Sequence, residues 1–388
     1  MNTYVALCAL GAEKILGNEL KLLGYKLEGS SEPGRVTFLG DEKALYRANL
    51  CLRTSDRVYI QLAKYKADDF DQLFDACYNI NWQDFFRKDV KVVVDKVRIH
   101  KSRLNSEHTV QGMIQKAIYK KLGDKWRMTT LPESGNQCDV RVYIEQNTVS
   151  ILLDTSGLAL HKRGYRTEGG IAPIRETTAA VLLQEMMWKR RLPLHDPFCG
   201  SGTIAIEANL YAHNIAPGFG RRFAYENLSF YNKDLALETV KAEAEKIRTD
   251  VECRITGSDK DRAAVERAII NAEHSCVAAG RALQLIGSDA RITRPDFTVS
   301  GFANLRAPYP EGTLLCNPPY GERIGDEDEA LFLYKSMASL FADFPGWDIG
   351  IITSQKKFQA CIGHNANILK QIKAGNLDTT LYIFKGSK

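Results

Sequence analysis

From about residue 176 onward, short apolar segments alternate with longer helical ones, and this alternation limits the possible folds most strongly. The apolar segments predicted as strands are 194–196, 254–259, 283–288, 313–316 and 347–353. Strands that alternate with helices are joined by crossovers and form a parallel sheet. The last segments, 369–374 and 379–384, instead predict a hairpin. We therefore expect a doubly wound, mostly parallel sheet with an antiparallel C-terminal hairpin.

The first 160 or so residues follow a different pattern, in which strands and helices come in mixed order. Alternation of apolar residues predicts strands near 4–9, 35–38, 57–63 and 90–99, and a hairpin over 140–153. Helical spacing predicts helices near 15–23, 42–50, 71–78 and 108–122. This order indicates an α+β region before the parallel sheet, and a chain of 388 residues is long enough for two or three domains.

Cysteine and histidine usage argues against a disulfide framework and against a metal site. The nine cysteines are an odd number, no two have CxxC spacing, and the seven histidines form no HExxH motif. No run of about 18 apolar residues exists, so we expect no membrane partner. The N-terminal segment predicts a strand that leads into a helix rather than a signal peptide, and the expected location is the cytoplasm.

Positive charge is concentrated in one part of the chain. The net charge is +5, but residues 87–127 contain twelve Lys and Arg against four Asp and Glu. A folded basic face is typical of proteins that bind a polyanion. A helix face that is merely solvated would have the same composition.

The segment Asp196-Pro-Phe-Cys-Gly-Ser-Gly-Thr203 joins a predicted strand to a predicted helix. Gly200 and Gly202 allow a tight turn and a close approach of the backbone to a ligand. Asp196, at the end of the strand, is placed to accept a hydrogen bond from a cationic amine. The same residues fit the GxGxxA fingerprint of dinucleotide-binding dehydrogenases, but Glu226 matches the acidic residue of that motif poorly. A plain structural turn is the other alternative.

Acidic residues follow the next two predicted strands. Asp259 ends the strand 254–259 and is suited to ribose hydroxyls, whereas Asp289 follows 283–288 and is placed near an adenine amino group. Either residue alone is more often a helix N-cap than a ligand contact. Together with the glycine loop, at the carboxyl ends of parallel strands, they predict a nucleoside ligand with a charged tail.

The tetrapeptide Asn317-Pro-Pro-Tyr320 directly follows the predicted strand 313–316. Pro318 and Pro319 fix the backbone and remove two N–H donors. The Asn317 side-chain oxygen and the Pro318 carbonyl are then placed to accept both hydrogen bonds of one substrate amine. Tyr320 offers a face on which a planar base can stack. Such a frame would aim the nitrogen at an electrophilic methyl group through orientation rather than strong-base catalysis. A rigid turn is the structural alternative.

These motifs carry a resemblance to a known family. They are HKRGYR (161–166), APIRETTAA (172–180), DPFCGSGT (196–203), GSDKD (257–261), IGSDA (286–290) and CNPPYGERIG (316–325). The chain resembles class I S-adenosylmethionine-dependent methyltransferases, and more closely the THUMP-containing enzymes that make N2-methylguanosine in large-subunit ribosomal RNA. The resemblance implies a Rossmann-like methyltransferase domain at 157–388, after a ferredoxin-like segment at 1–43 and a THUMP domain at 44–156. Only one methyltransferase domain is expected.

The resemblance also implies residue roles. It places Asp196 and the glycine loop at the methionine end of the cofactor, Asp259 at its ribose and Asp289 at its adenine. The expected cofactor-binding residues are Thr177, Thr178, Asp196, Phe198, Gly200, Gly202, Thr203, Asp259, Lys260, Asp289, Ala290 and Asn317. The expected catalytic residues are Asn317, Pro318, Pro319 and Tyr320. The expected RNA-binding residues are Lys91, Lys96, Arg98, Lys101, Arg103, Lys116, Lys120, Lys121 and Arg163.

Several alternatives stay open at this point. Ribosomal RNA, or a large-subunit assembly intermediate, is the expected substrate, with transfer RNA as the second choice and the oligomeric state undetermined. An activated Cys316 would instead indicate a carbon-5 pyrimidine methyltransferase, although its apolar strand favours burial. An RNA-binding assembly protein with an inactive methyltransferase fold is the non-enzyme alternative. The loop 215–233 either borders the substrate pocket or only packs.

Overall fold

The computed structural model describes residues 1–166, 173–252, 254–319 and 327–386, which form two seven-stranded sheets. The elements of the N-terminal half are β1 (Asn2–Leu7), α1 (Glu13–Leu22), β2 (Lys26–Leu27), β3 (Arg35–Gly40), α2 (Glu42–Cys51), β4 (Arg57–Lys66), α3 (Phe70–Tyr78), β5 (Lys91–His100), α4 (Glu107–Trp126), β6 (Gln137–Glu145) and β7 (Thr148–Asp154). Those of the C-terminal half are α5 (Glu176–Glu185), β8 (Leu194–Asp196), α6 (Thr203–Ala212), α7 (Lys233–Ala244), β9 (Ile255–Asp259), α8 (Arg262–Gln284), β10 (Asp296–Val299), β11 (Thr313–Cys316), α9 (Glu327–Ser336), α10 (Ser339–Asp343), β12 (Asp348–Thr353), α11 (Phe358–Ile362), β13 (Ile368–Ala374) and β14 (Leu377–Phe384).

The first sheet has the strand order β2-β3-β1-β4-β7-β6-β5, and β5 with β6 is its parallel pair. Helices α2, α3 and α4 begin at Asp41, Asp69 and Ser106, whose side chains accept hydrogen bonds from backbone amides of the first turn. The expected α+β pattern is therefore confirmed. Strands from both sides of the predicted boundary at residue 43 belong to this one sheet. The domain bounds stay a prediction.

Helix α4 lies along the open edge of β5 and bonds to its backbone. Gln111 Nε2 donates to the carbonyl of Val94 at 2.6 Å, and Gln115 Nε2 donates to that of Val92 at 2.7 Å. Gln115 Oε1 accepts from the Val94 amide at 3.0 Å. These side chains satisfy polar groups that an edge strand otherwise leaves to water or to another strand.

The second sheet has the order β10-β9-β8-β11-β12-β14-β13. Strands β8 to β12 pair in parallel, whereas β14 pairs antiparallel with β12 and with β13. The doubly wound sheet with its C-terminal hairpin is thus confirmed. Strand β8 lies between β9 and β11, where the chain order reverses, and ligands bind such sheets at the carboxyl ends of those strands.

One predicted strand, 283–288, is wrong. Helix α8 continues to Gln284 because Ala279, Ala282 and Leu283 extend its buried stripe, and Gly287 follows with a φ of +74°. On the side of β9 away from β8, the neighbouring strand is β10, which lies in a stretch of sequence without a clear apolar pattern. Only Phe297 of β10 is buried, so this short edge strand lacks the alternation that predicts strands. Helix α5 ends at Glu185, and Met187 follows with a φ of +53°.

A buried carboxylate joins the two halves of the molecule. Glu19 on α1 accepts hydrogen bonds from the amides of Arg53 and Thr54 and from the Thr54 hydroxyl. It also accepts one from Gln184 Nε2 on α5, at 3.2 Å. One side chain thus satisfies donors from both halves.

The loop 215–233 packs against the N-terminal half rather than extending freely. The Gly218 amide donates to the Leu50 carbonyl at 2.9 Å, and the Tyr225 amide donates to the Thr155 carbonyl at 3.0 Å. The ring of Tyr225 lies against Tyr46 in edge-to-face geometry, with the centroids 5.0 Å apart.

Among the helices described, none is long and apolar enough to cross a membrane.

We expect Glu19→Ala to lower the free energy of unfolding by about 3 kcal/mol, because it leaves buried donors without an acceptor. Urea unfolding measures this change. Asn18→Ala, at the exposed neighbouring position on α1, is the control and should change the value by less than about 0.5 kcal/mol. Equal effects of the two variants would contradict a structural role for Glu19.

Candidate active site

The glycine loop between β8 and α6 leaves space for a ligand. Gly202 has a φ of +82°, and a Cβ there would lie 2.9 Å from Ala268 Cβ and from Phe297 Cζ. Gly200 has a φ of +51°, and no heavy atom would lie within 4 Å of its Cβ. Gly202 is therefore required for helix packing, whereas Gly200 faces open space that a ligand can approach.

Asp196 is a buried carboxylate at the end of β8, with 1% of its surface exposed. Its Oδ1 accepts a hydrogen bond from the Phe198 amide at 3.1 Å. Burial raises the pKa of Asp196 to about 8, and the nearby carboxylate of Asp259 adds to the shift. A cationic ligand group would restore the ionised form, so the position suits an ammonium group.

Asp259, at the end of β9, braces the glycine loop. Its Oδ2 accepts from the Gly200 amide and its Oδ1 from the Asp261 amide, both at 3.0 Å. Each carboxylate oxygen has a second lone pair, so these bonds leave acceptor capacity for hydroxyl groups. The loop is also held at Ser201, whose carbonyl accepts from Asn271 Nδ2 at 3.1 Å.

Asn317 follows β11 and presents an unsatisfied acceptor. Its Oδ1 is buried and has no hydrogen-bond partner among the described residues. The turn is held from behind by Tyr334 on α9, whose hydroxyl donates to the Pro319 carbonyl at 3.3 Å and lies 3.0 Å from Thr353 Oγ1. Tyr334 was missed by sequence reasoning because it lies outside every motif. Tyr320 and the following GERIG residues lie outside the described residues.

Several predicted residues meet in one cavity of about 210 Å³. Those that line it are Asp196, Phe198, Gly200, Thr203 and Asn317. Three further lining residues with polar side chains were not singled out as site residues: Ser201, Asp261 and Arg267. Ser201 Oγ and Arg267 Nε are buried without a hydrogen-bond partner among the described residues. The cavity thus combines a buried carboxylate with unpaired donors and an unpaired acceptor.

Other predicted cofactor residues lie elsewhere. The hydroxyl of Thr177 donates to Asp56 Oδ1 at 2.8 Å, and neither Thr177 nor its buried neighbour Thr178 lines the cavity. Lys260 is exposed, and Ala290 is half-buried. Asp289 lies in an exposed position after α8, not at a strand end, so the reason for assigning it to adenine is wrong.

The strand end beside Asp259 carries an aromatic side chain instead. The Ser300 amide, directly after β10, donates to the Asp259 carbonyl at 2.9 Å. Two residues later, Phe302 packs on Phe198 with the ring centroids 5.3 Å apart. Phe302 was not predicted, because the signal of β10 itself was missed.

The two cysteines near the site are poor nucleophiles. Cys316 is fully buried, and burial raises the pKa of its thiol well above the usual range. Burial likewise raises the pKa of Cys199. A covalent carbon-5 mechanism needs an accessible thiolate and is not supported. Within the described ranges, no three His, Cys, Asp or Glu side chains group as a metal site.

Most of the predicted RNA-binding residues lie along the β5 edge of the first sheet, where six are exposed and two, Lys96 and Lys121, are half-buried. They are on β5, on the segment after it and on α4: Lys91, Lys96, Arg98, Lys101, Arg103, Lys116, Lys120 and Lys121. Arg163 is the exception, and its assignment is wrong. It is 4% exposed, and its guanidinium pairs with Glu207 at 3.4 Å and donates to the carbonyls of Arg53 and Leu160.

Comparison with known proteins gives three family-model matches. An RMKL-like methyltransferase domain matches residues 163–383, an RlmL ferredoxin-like domain matches 3–59, and a THUMP domain matches 67–154. The Bacillus subtilis (strain 168) protein named "Putative RNA methyltransferase YpsC" is 37% identical over 98% of this chain and 95% of its own length.

Two solved structures are similar over the whole chain. That of SMU.472 complexed with SAH is 32% identical and covers 100% of this chain and 98% of its own, with a TM-score of 0.87. That of a "predicted N6-adenine-specific DNA methylase" from Listeria monocytogenes str. 4b F2365 is 35% identical and covers 100% and 96%, also with a TM-score of 0.87. The fold of both halves, the N-terminal α+β region and the methyltransferase domain, is therefore shared with these structures.

We expect Gly202→Ala to lower the free energy of unfolding by about 2 kcal/mol, because the left-handed backbone and the contacts with Ala268 and Phe297 both oppose a Cβ. The measurement is urea unfolding. Gly280→Ala within α8, where a Cβ meets no atom within 4 Å, is the control and should raise stability slightly. A neutral Gly202→Ala would show that the loop adjusts.

Proposed function

Because the chain belongs to the RMKL-like methyltransferase family, we propose that it transfers a methyl group from S-adenosylmethionine to an exocyclic amine of an RNA base. The observation that carries the proposal is the buried Oδ1 of Asn317, which has no hydrogen-bond partner among the described residues and lies in the same cavity as the buried carboxylate of Asp196. An unpaired buried acceptor is costly unless a ligand satisfies it. An N–H group of a substrate amine can donate the hydrogen bond that satisfies this acceptor.

The cavity and its neighbours suit the cofactor. Asp196 would accept from the methionine ammonium group, and Gly200 would allow close approach. Asp259 and Phe302 do not line the cavity but contact the lining residues Gly200 and Phe198; Asp259 would accept from the ribose hydroxyls, and the two phenylalanines would offer apolar contact for the adenine in place of Asp289. When bound, S-adenosylmethionine supplies an electrophilic methyl group on a sulfonium centre.

Asn317 acts by orientation. The lone pair of an aromatic amine is delocalised into the base, which makes the nitrogen a weak nucleophile. When Asn317 Oδ1 accepts one N–H and the Pro318 carbonyl accepts the other, the nitrogen is held with its lone pair directed at the methyl group. Tyr334 keeps the turn in place through the Pro319 carbonyl. Tyr320 is proposed to stack on the base.

Guanine N2 of large-subunit ribosomal RNA is the proposed target. The Asn-Pro-Pro-Tyr tetrapeptide also suits other exocyclic amines, so the choice of base rests on the resemblance of the wider motifs. Transfer RNA is the second candidate substrate. The description of the Listeria relative favours a further one, adenine N6 in DNA, and the experiment below separates them. The basic residues of β5 and α4 are proposed to hold the nucleic acid.

We expect the affinity for S-adenosylhomocysteine, which has the same ammonium group, to rise more than tenfold between pH 6 and pH 8. The free Asp196 has a pKa of about 8, and the bound ammonium requires its ionised form, so binding releases a proton at lower pH. Isothermal titration calorimetry at pH 6, 7 and 8 measures this. Asp196→Asn should bind weakly and without the rise, and an equal rise in this variant would contradict the assignment.

We expect methyl label from S-adenosylmethionine to enter large-subunit ribosomal RNA as N2-methylguanosine. Purified protein is incubated with fractionated ribosomal subunits, transfer RNA and DNA, and the products are digested to nucleosides. Label in transfer RNA or in DNA adenine would change the substrate but keep the reaction. Cofactor binding without label in any fraction would favour the binding-only alternative.

The variant for this experiment is Asn317→Ala. It should reduce transfer by at least about a hundredfold, in line with the loss of a group that orients the reacting atoms. Its affinity for S-adenosylhomocysteine should stay within a few-fold of the unmodified protein. A large loss of cofactor affinity with little loss of transfer would show that Asn317 has a different role.

A further inference from the structure

A second depression, which we call the basic groove, lies next to the cofactor cavity and shares Pro173 with it. Its volume is about 790 Å³, and its lining is rich in basic side chains: His161, Lys162, Arg163, Arg166, Arg175, Arg221 and Arg222, beside one carboxylate, Glu176. Arg163 is 4% exposed, and its guanidinium is bonded in the interior. Arg166 connects the two spaces, because it lines the groove and donates to Thr203 Oγ1 in the cavity wall at 2.8 Å.

One wall of the basic groove is held rigidly by Arg221. Its guanidinium donates to the carbonyls of Ala159 and Lys162, each at 3.0 Å, and also to those of Ser156 and Leu158. It also lies over the ring of Phe223, 5.1 Å from the centroid. The turn that carries His161 and Lys162 is therefore fixed before any ligand binds, which lowers the entropy cost of binding.

The basic groove contains N–H donors that lack acceptors. The Nε atoms of Arg166 and Arg221 are buried and have no hydrogen-bond partner among the described residues. These atoms lie behind the groove surface, and the exposed lysine and arginine side chains of the groove can only donate, so a ligand bound there must accept hydrogen bonds. Phosphate oxygens meet this requirement, and arginine is well suited to them.

The charges in the basic groove are only partly balanced. Arg166 pairs with the buried Glu176 at 3.3 Å, and Arg222 pairs with Glu226 at 2.8 Å. Arg175 and His161 lie 3.7 and 3.5 Å from Asp56. No carboxylate among the described residues pairs with Lys162 or Arg221. Burial lowers the pKa of Arg221 to about 10, and the neighbouring Arg163 and Arg57 contribute to the shift. A bound anion would relieve this repulsion.

We propose that the basic groove binds phosphodiester groups of the RNA strand on either side of the target nucleotide. The inference rests on the proposed function, since a base that enters the catalytic cavity leaves its sugar–phosphate chain outside. The groove is adjacent to that cavity and belongs to the methyltransferase half, whereas the basic residues of β5 and α4 belong to the first sheet. It therefore fixes the register of the strand at the site of reaction.

The test uses the double variant Lys162→Ala/Arg222→Ala and the full-length protein. Both side chains are exposed, and Arg222 is 90% exposed. The matched control is Lys189→Ala/Arg191→Ala, which removes the same charge at exposed positions before β8, on the amino side of that strand and away from the carboxyl ends that form the cavity. Fluorescence anisotropy with a labelled single-stranded RNA of twelve nucleotides, at several salt concentrations, gives the slope of log affinity against log salt.

We expect the slope of the groove variant to fall by about 1.4, since each phosphate contact with a single strand contributes about 0.7. The control slope should change by less than about 0.3, and S-adenosylhomocysteine affinity should stay within twofold in both. Equal slopes in the two variants, or no RNA binding by the unmodified protein, would overturn the proposal. If the unmodified protein transfers methyl groups but the two variants have equal slopes, the proposed function stands and the groove proposal fails. If the groove variant loses slope but the unmodified protein transfers no methyl group to any fraction, the proposed function fails and the groove remains only an RNA-binding site.

Discussion

The parallel pairing of β8 with β9 on one side and with β11 on the other is the constraint on which the site depends. It brings three strand ends to one edge of the sheet, with Asp196 on the first, Asp259 on the second and Asn317 after the third. Backbone hydrogen bonds fix these positions, so a carboxylate can be buried beside an unpaired amide oxygen without the side chains moving apart. Burying these two polar groups costs free energy, and the packing of helices against the sheet offsets that cost.

Much of this site could be predicted because its signals are local. Strands 194–196 and 313–316 have the predicted bounds, since short apolar runs are followed by glycine and proline motifs. The part of the site proposed to contact adenine, at the end of β10, could not be predicted in the same way. The end of α8 is apolar over Leu283, Leu285 and Ile286, which is typical of a strand, whereas β10 buries only Phe297. The partner strand, β9, gives β10 its structure, and a single sequence does not contain that pairing.

The roles of arginines were the hardest to predict, because composition gives charge but not partners. Arg163 has the charge expected of an RNA contact, yet its donors go to Glu207 and to two carbonyls in the interior. Arg221 uses its guanidinium to hold one turn of backbone. Both lie where the loop 215–233 and the segment after β7 meet the first sheet. Only the tertiary structure distinguishes arginines that stabilise the protein through internal hydrogen bonds from those that are accessible to a ligand.

The glutamines of α4 have a consequence for how this protein meets others. Strand edges invite pairing with foreign chains, which leads to aggregation or to unintended complexes. At one edge of the first sheet, Gln111 and Gln115 already bond the β5 backbone at Val92 and Val94, and the other edge is β2, only two residues long. The half of the molecule that carries the basic residues of β5 and α4 therefore has less edge backbone free to pair with a neighbouring chain than its seven strands alone would offer.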